Sequence, residues 1–257
     1  MNVASTTDDT EYADRSASRQ SPRRPDRRRR LGPVAAVISV FGELLITAGL
    51  VMGLFVVYSL WWTNVLADRA ADKEADKVRD GWAHQDDGSR RPPEFDSGAG
   101  IGFLHVPAMS KSEILVEKGT TAKILNDGVA GYYTDPVKAT LPTSDKKGNF
   151  SLAAHRDGHG AKFHNIHKIA KGDPIVFETK DKWYVYKVYS VLPETSKYNV
   201  QVLGDVPKES GKTKAGRYIT LTTCTPVYTS RYRYVVWGEL ERVEKVDEQR
   251  TPPEELR

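Results

Sequence analysis

The sequence has almost no cysteine, because Cys224 is the only one in 257 residues. A single thiol excludes an internal disulfide, so the stability of the chain must come from other contacts. An unpaired cysteine is often a small buried hydrophobic residue, and in an exported protein it is also a candidate reactive group. Both interpretations of Cys224 stay open until its surroundings are considered.

The first 32 residues have few large apolar side chains and are rich in Ser, Asp, Arg and Thr. Such a segment cannot bury enough apolar surface to fold, so residues 1–33 are expected to form a disordered basic tail. Residues 15–30 hold eight arginines against one acid, Asp26. This run fits either a solvated tail or an arm that binds nucleic acid.

Charge is absent from residues 44–62, the second part of an apolar segment that runs from 34 to 62. As a helix, residues 44–62 would cover about 28 Å, close to the ~30 Å hydrocarbon core of a bilayer. Trp61 and Trp62 suit the membrane interface at one end, and Glu43 is expected near the headgroups at the other. The segment exceeds the apolar core of a cleavable signal peptide, so it is expected to be a retained transmembrane helix.

Arginines precede the apolar segment, whereas mixed charges follow it. The positive-inside rule then predicts a cytoplasmic N-terminus and a single pass through the cell membrane, with residues 63–257 outside. Membrane lipid is therefore an expected partner, and nucleic acid is not. Residues 63–99 are expected to be an extracellular stalk, because prolines and glycines between 90 and 100 would break a helix.

From residue 101 onward, short segments rich in β-branched and aromatic residues alternate with turn residues. This pattern indicates a mainly β domain over residues 100–243, either a closed barrel or a sandwich, with a charged C-terminal tail at 244–257. The predicted strands cover 101–106, 114–117, 150–155, 175–179, 183–191, 200–203, 218–224 and 232–242, with a short helix at 120–127 and a loop at 128–133.

Four histidines fall within 13 residues and raise the alternative of an extracellular metallohydrolase: His155, His159, His164 and His167. The zinc-peptidase pattern His-Glu-x-x-His is missing, and Arg156 would oppose a cation. A metal site is therefore the weaker interpretation of this cluster.

Cys224 and His155 each lie where a predicted strand ends. The segment 217–226 is rich in Thr, Tyr, Ile and Leu and stops at a Thr-Pro turn. In the other segment, two-residue alternation puts Phe150 and Leu152 on one face and His155 on the other. Both side chains are thus expected to open into loops, where a groove can form.

Two arginines, Arg231 and Arg233, are candidates for a cationic third group. If the strands pair symmetrically about residues 225–230, Arg231 lies opposite Cys224 and Arg233 is a diagonal neighbour roughly 7–8 Å away. Spacing alone slightly favours Arg231, and a shifted register would reverse the order. A thiolate, an imidazole and a guanidinium could together attack a carbonyl, exchange a proton and stabilise an oxyanion.

The sequences Thr220-Leu-x-Thr-Cys224 and Leu152-Ala-x-His-Arg156, with Arg233 in Arg-Tyr-x-Val, are similar to the motifs of sortases. Sortases are the cysteine transpeptidases of Gram-positive surfaces. The apolar segment Gly-Glu-Leu-Leu-Ile-Thr-Ala-Gly-Leu and the sequence Thr-Thr-Cys-Thr-Pro most resemble class E sortases of high-GC actinobacteria. The order of tail, span, stalk and outer β domain agrees with this resemblance.

The resemblance implies a closed eight-stranded sortase-type β-barrel with short helices, preceded by one transmembrane helix. Cys224 would cleave a Leu-Pro-x-Thr-Gly or Leu-Ala-x-Thr-Gly sorting signal between Thr and Gly through a thioacyl intermediate. An amine of the peptidoglycan precursor would then take the acyl group and thereby attach the surface protein. His155 would be the general acid and base, and Arg233 would stabilise the oxyanion or align the peptide. No metal or organic cofactor is implied.

The resemblance also makes Tyr132, Tyr133 and Thr223 the expected substrate-binding residues. Many sortases read Gly-x-Gly-His-Tyr where this chain reads Gly128-Val-Ala-Gly-Tyr-Tyr133, so an auxiliary histidine is missing. Ala154 stands where many have glycine, and both differences bear on substrate preference rather than on reaction type. A non-enzymatic alternative is an anchored extracellular β-barrel binding module whose Cys224 is buried and inert.

Overall fold

Eight strands close into a barrel in the computed structural model, which describes residues 32–84, 100–144 and 146–257. This confirms the mainly β fold with a closed barrel and excludes the sandwich. The strands are β1 Gly102–His105, β2 Ile114–Lys118, β3 Ala130–Tyr132, β4 Gly148–Ala153, β5 Pro174–Glu178, β6 Lys182–Ser196, β7 Arg217–Thr225 and β8 Tyr232–Lys245. The helices are α1 Pro33–His84 and α2 Ala122–Leu125, with 3₁₀ turns at Ile166–Lys168, Val200–Leu203 and Glu254–Leu256.

The strands follow the order β1-β2-β3-β4-β7-β8-β6-β5 around the barrel. Most neighbours are antiparallel, but β2 pairs with β3 and β4 pairs with β7 in parallel. Alternate residues of each strand face the core, as the two-residue period requires. Phe150, Leu152 and Ala154 enter it from β4 and the residue after it, and Ile219 and Leu221 enter it from β7.

Two predictions in this part were wrong. Residues 200–203 form a 3₁₀ turn instead of a strand, because four apolar-rich residues carry too little periodicity to distinguish the two. Val202 and Leu203 pack on Trp237, whose indole nitrogen donates to the Val202 carbonyl at 3.0 Å. Residues 128–133, predicted as a loop, contain the short strand β3, which glycine and alanine concealed.

The first part of α1 is long and apolar enough to cross a membrane, by length and composition. The helix does not stop at residue 62 but continues to His84, and its later part is not the expected plain spacer. Ala71 and Val78 are buried against Phe103 and Leu115 of the barrel, and Trp82 meets the Phe103 ring edge-on at 5.4 Å. The spacing of these residues places them on one face of the helix. The sequence did not reveal this face, because alanine is only weakly apolar.

The C-terminal segment also differs from the expected charged tail. Strand β8 runs to Lys245, and Arg242 binds the Glu255 carboxylate through two hydrogen bonds of 2.7 and 2.6 Å. Further along, Arg250 binds the carboxylate of Glu178. The segment therefore folds back onto the barrel. The predicted basic tail up to residue 31 and the stalk at residues 85–99 lie outside the described residues.

Candidate active site

A groove of about 410 Å³ contains Cys224, His155 and Arg233. Its walls come from the ends of β4, β7 and β8, from α2, and from the 3₁₀ turn at Val200–Leu203. Apolar side chains line the groove, together with polar groups that include those of Tyr133, Thr223 and Arg233. This composition suits an extended peptide with small or apolar side chains.

Cys224 and His155 come together because β4 and β7 run in parallel. The pairing joins Ser151 with Thr220 and ends with Ala153 opposite Thr222. His155 and Cys224 each lie two residues beyond this last pair, so the two chains reach the groove at the same level. Neighbouring strands lie ~4.8 Å apart, which keeps the two side chains within one site. Cys224 is half-buried, not enclosed as an inert core thiol would be.

Arg233 reaches Cys224 from the other side, through β8. The antiparallel register places Cys224 directly opposite Arg233 and Thr225 opposite Tyr232. Arg231 lies before the first residue of β8 and is exposed. The predicted register, which paired Cys224 with Arg231, is therefore wrong by two residues. Strand pairing continues as far as Thr225 and Tyr232, so the connection between the strands is residues 226–231. The Arg233 guanidinium donates to the carbonyls of Ser230 and Tyr232 at 3.2 and 3.0 Å.

His155 is half-buried, and its Nε2 lies 2.8 Å from Oδ1 of Asn126, at the end of α2. Burial lowers the pKa of the His155 imidazole, and the neighbouring His159 lowers it further, while Asp157 acts in the opposite direction. The ring is therefore held mainly neutral at neutral pH and can accept a proton. Sequence reasoning missed Asn126, because only the fold brings the end of α2 to this ring.

Arg156 is a second residue whose part the sequence did not reveal, although it belongs to the His-Arg motif. Its buried guanidinium donates to the hydroxyl of Thr225 at 2.7 Å and to the carbonyl of Cys224 at 3.3 Å. It also lies 5.4 Å from the centre of the Tyr234 ring. Arg156 therefore ties the residue after His155 to the backbone of Cys224 and holds the two strand ends together.

The three residues expected to bind substrate occupy different places. Tyr133 and Thr223 line the groove, whereas Tyr132 is buried in the core with its ring 6.5 Å from that of Phe150. The Tyr133 hydroxyl lies 2.9 Å from Oγ1 of Thr222, and burial raises the pKa of the Tyr133 phenol. The Thr223 hydroxyl donates to the carbonyl of Ala154 at 2.7 Å, another link between β7 and the end of β4.

The histidine cluster gains no support as a metal site. His155 and His159 have ring centres 5.5 Å apart, and Nδ1 of His164 lies 2.8 Å from the carbonyl of Arg156. Within the described ranges, the grouping of three potential ligands is a different one: His105, Glu113 and Glu178. The guanidinium of Arg79 already binds both of those carboxylates, and a metal ion would have to displace it.

Comparison with known proteins identifies the family. The model of the sortase domain matches residues 104–241. The chain belongs to the sortase family. It is 80% identical to Sortase SrtE2 of Streptomyces coelicolor over 234 residues, which is 90% of this chain and 92% of that protein. It is 46% identical to Sortase SrtE1 of the same organism over 224 residues, 87% of this chain and 62% of that protein.

The fold agrees with class E sortases. The crystal structure of Sortase E1 from Streptomyces coelicolor, with a tripeptide in its active site, aligns with a TM-score of 0.57 at 45% identity. The alignment covers 61% of this chain and 96% of that one. The sortases are transpeptidases, so family membership makes this chain an enzyme of that kind and overturns the binding-module alternative.

Proposed function

We propose that this sortase cleaves a Leu-Pro-x-Thr-Gly or Leu-Ala-x-Thr-Gly type of sorting signal between Thr and Gly. The neutral imidazole of His155 takes the proton of the Cys224 thiol, and the resulting thiolate attacks the threonine carbonyl. The C–N bond to glycine breaks as the leaving amine receives that proton from His155. The product is a thioester between Cys224 and the cleaved protein. An amine of the peptidoglycan precursor then gives up a proton to His155, attacks the thioester and forms a new amide as the C–S bond breaks, and the released Cys224 sulfur takes that proton from His155.

The observation that carries this proposal is the order of three neighbouring strands, β4, β7 and β8, around Cys224. They bring an imidazole to one side of the thiol and a guanidinium to the other. A permanently charged guanidinium suits the oxyanion that forms during attack, or the backbone carbonyls of an extended peptide. The neutral imidazole suits the proton transfers.

Substrate contacts are proposed for Tyr133 and Thr223, which line the groove. Tyr132 packs in the core, and we assign it no contact with the peptide. The tripeptide in the active site of Sortase E1 supports a peptide as the occupant of the corresponding groove here.

Membrane anchoring is the second part of the proposal. The apolar first part of α1 would cross the cell membrane once, with the N-terminus in the cytoplasm and residues 63–257 outside. This topology holds the catalytic domain where exported proteins and the peptidoglycan precursor meet. The expected catalytic domain at 100–243 then functions together with the α1 residues packed on it.

Mass spectrometry of the full-length chain tests the reaction. After incubation with Leu-Ala-x-Thr-Gly or Leu-Pro-x-Thr-Gly peptides, we expect an acyl adduct on Cys224 that ends in the peptide's threonine. The more abundant adduct identifies the preferred signal, and the Cys224→Ala variant should carry none. Cleavage without any adduct on Cys224, or no cleavage of either peptide, would contradict the proposal.

A further inference from the structure

The loop that follows His155 is held by α1. The amide nitrogen of Gly160 donates to Oδ1 of Asn64 at 2.9 Å, and Nζ of Lys162 lies 2.8 Å from Oδ1 of Asp68. Asn64 and Asp68 are four residues apart and therefore lie on the same face of the helix. Two successive turns of α1 thus bind residues that lie five and seven positions after the candidate general base.

This loop has an unusual backbone that needs support from outside. Residues 158–161 all have positive φ, and two of them, His159 at 46° and Ala161 at 40°, are not glycine. A non-glycine residue in this region costs about 1–2 kcal/mol, so such a run persists only where the surroundings determine it. The hydrogen bond from Gly160 to α1 lies within the run.

The same helix also supports the hydrogen-bond partner of His155. Gly128, two residues after Asn126, packs so closely on α1 that a Cβ atom there would lie 2.8 Å from the carbonyl oxygen of Ala67. The small, buried Ala67 permits this approach. A Cβ atom on Gly160 would in turn lie 3.3 Å from Cα of Gly128. The His155 loop and the Asn126 turn therefore rest on one stretch of α1 and on each other.

We propose that residues 64–68 of α1 position His155 for catalysis, with Asn64 and Asp68 as the positioning residues. The helix that leads into the catalytic domain then contributes to the geometry of the active site, in addition to linking the domain to the membrane. The inference rests on the proposed role of His155 as general acid and base.

The test uses full-length variants, with steady-state kinetics on the sorting-signal peptide between about pH 5 and 9. Asn64→Ala should lower kcat by about 10-fold with little change in KM, because the groove stays intact while the imidazole is misplaced. Asp68→Ala should act in the same direction but more weakly, since the pair is partly exposed. Asp72→Ala, on an exposed part of the same helix, is the matched control and should leave kcat unchanged.

The pH profile separates a positioning role from a loss of stability, and a double variant tests the contact between Asp68 and Lys162. The His155 ring shares its surroundings with Asp157, His159, Cys224 and Arg233. A loosened loop would hydrate the ring, so the acid limb of the kcat/KM profile should move to higher pH in Asn64→Ala. The double variant Asp68→Ala/Lys162→Ala should lose no more activity than the more damaging single variant, because both changes break one contact.

The inference is overturned if Asn64→Ala keeps the kcat of the unsubstituted chain. It is equally overturned if the loss of kcat matches the fraction unfolded by thermal denaturation and leaves the acid limb in place. The acyl adduct on Cys224 separates this outcome from failure of the proposed function: an unsubstituted chain that forms no adduct refutes the reaction itself, whatever the α1 variants do.

Discussion

The groove and the surroundings of Glu178 use arginine in contrasting ways. Glu178 is buried, and its carboxylate binds Arg79, Arg250 and His105; we call these four residues the Glu178 clamp. Both clamp arginines share the Glu178 carboxylate, and Arg79 also binds the carboxylate of Glu113. In the groove, Arg233 donates to the backbone carbonyls of Ser230 and Tyr232, which carry no net charge.

The difference follows from what each region must do. The clamp joins α1, β1, β5 and the C-terminal segment, and the cationic partners of Glu178 make the burial of its carboxylate tolerable. The groove presents a thiol, an imidazole and a guanidinium, and the proposed reaction uses all three on a peptide carbonyl. In the first region the carboxylate is paired within the folded protein, whereas the proposed mechanism has the transition state supply the partner in the second.

The largest expected effect distinguishes Arg233, which lines the groove, from Arg231, which does not. Arg233→Ala should lower kcat/KM for the sorting-signal peptide by roughly 100-fold, the scale of losing an oxyanion donor. Arg231→Ala is the matched control and should change kcat/KM by less than about threefold, because the residue is exposed and outside β8. Peptide cleavage followed by chromatography measures both. Equal losses in the two variants would refute the assignment of Arg233.

The clamp should show the opposite behaviour, with a loss of stability and little change in catalysis. Glu178→Gln leaves Arg79 and Arg250 facing a neutral amide, and the free energy of unfolding at pH 7 should fall by about 3 kcal/mol. Glu113→Gln, which removes the exposed partner of Arg79, should cost less than about 1 kcal/mol. Urea unfolding measures stability, and kcat well below the unfolding temperature measures function. A loss of kcat in Glu178→Gln without a loss of stability would contradict the structural role assigned to the clamp.

The contribution of Glu178 to the free energy of unfolding should decrease as the pH falls. Burial alone would raise the pKa of Glu178, but the bonds from His105, Arg79 and Arg250 outweigh burial and lower this pKa to about 2. A carboxylate with a lowered pKa stabilises the fold above its ordinary pKa near 4.5 and loses that effect as pH falls toward 2. The stability difference between Glu178→Gln and the unsubstituted chain should therefore shrink over this range.

A smaller effect is expected at Glu117, a half-buried carboxylate whose charged neighbours are also acids. Burial raises its pKa to about 7, and Asp127 and Glu74 add to the shift. The fold is therefore favoured while Glu117 is protonated, and stability is lost as pH rises from about 4.5 through about 7. Glu117→Gln should stabilise the protein by about 1 kcal/mol at pH 8, after allowance for its partial exposure, and by nothing near pH 4.

The matched control for Glu117 is Asp76→Asn, an exposed carboxylate on α1. Its effect on the free energy of unfolding should stay within about 0.5 kcal/mol at both pH values. Thermal unfolding at pH 4 and pH 8 compares the two variants. Destabilisation by Glu117→Gln at pH 8 would mean that the carboxylate has a stabilising partner.

The sequence was informative wherever the signal is local. Period-two alternation predicted which face of β4 enters the core, and most strands were found from their β-branched and aromatic residues. Cys224 and His155 could be singled out as strand-end residues, and the resemblance to sortases supplied the barrel and the choice of Arg233. These inferences need only a few neighbouring residues or a known motif.

What the sequence concealed depends on long-range pairing. The parallel register of β4 with β7 joins residues 69 positions apart, as in Ser151 and Thr220, and nothing local specifies it. The register of β8 moved Arg233 into the place that symmetry gave to Arg231. The alanine-rich stripe of α1 was too weakly apolar to reveal a packed face, and Asn126 reaches His155 only through the fold.

The reactivity of Cys224 toward iodoacetamide tests the central claim, a half-exposed nucleophile beside His155, most directly. Alkylation should occur in the folded full-length protein and should slow in the His155→Ala variant, with the site confirmed by peptide mapping. Equal alkylation rates in both proteins, or a thiol that reacts only after denaturation, would contradict this account.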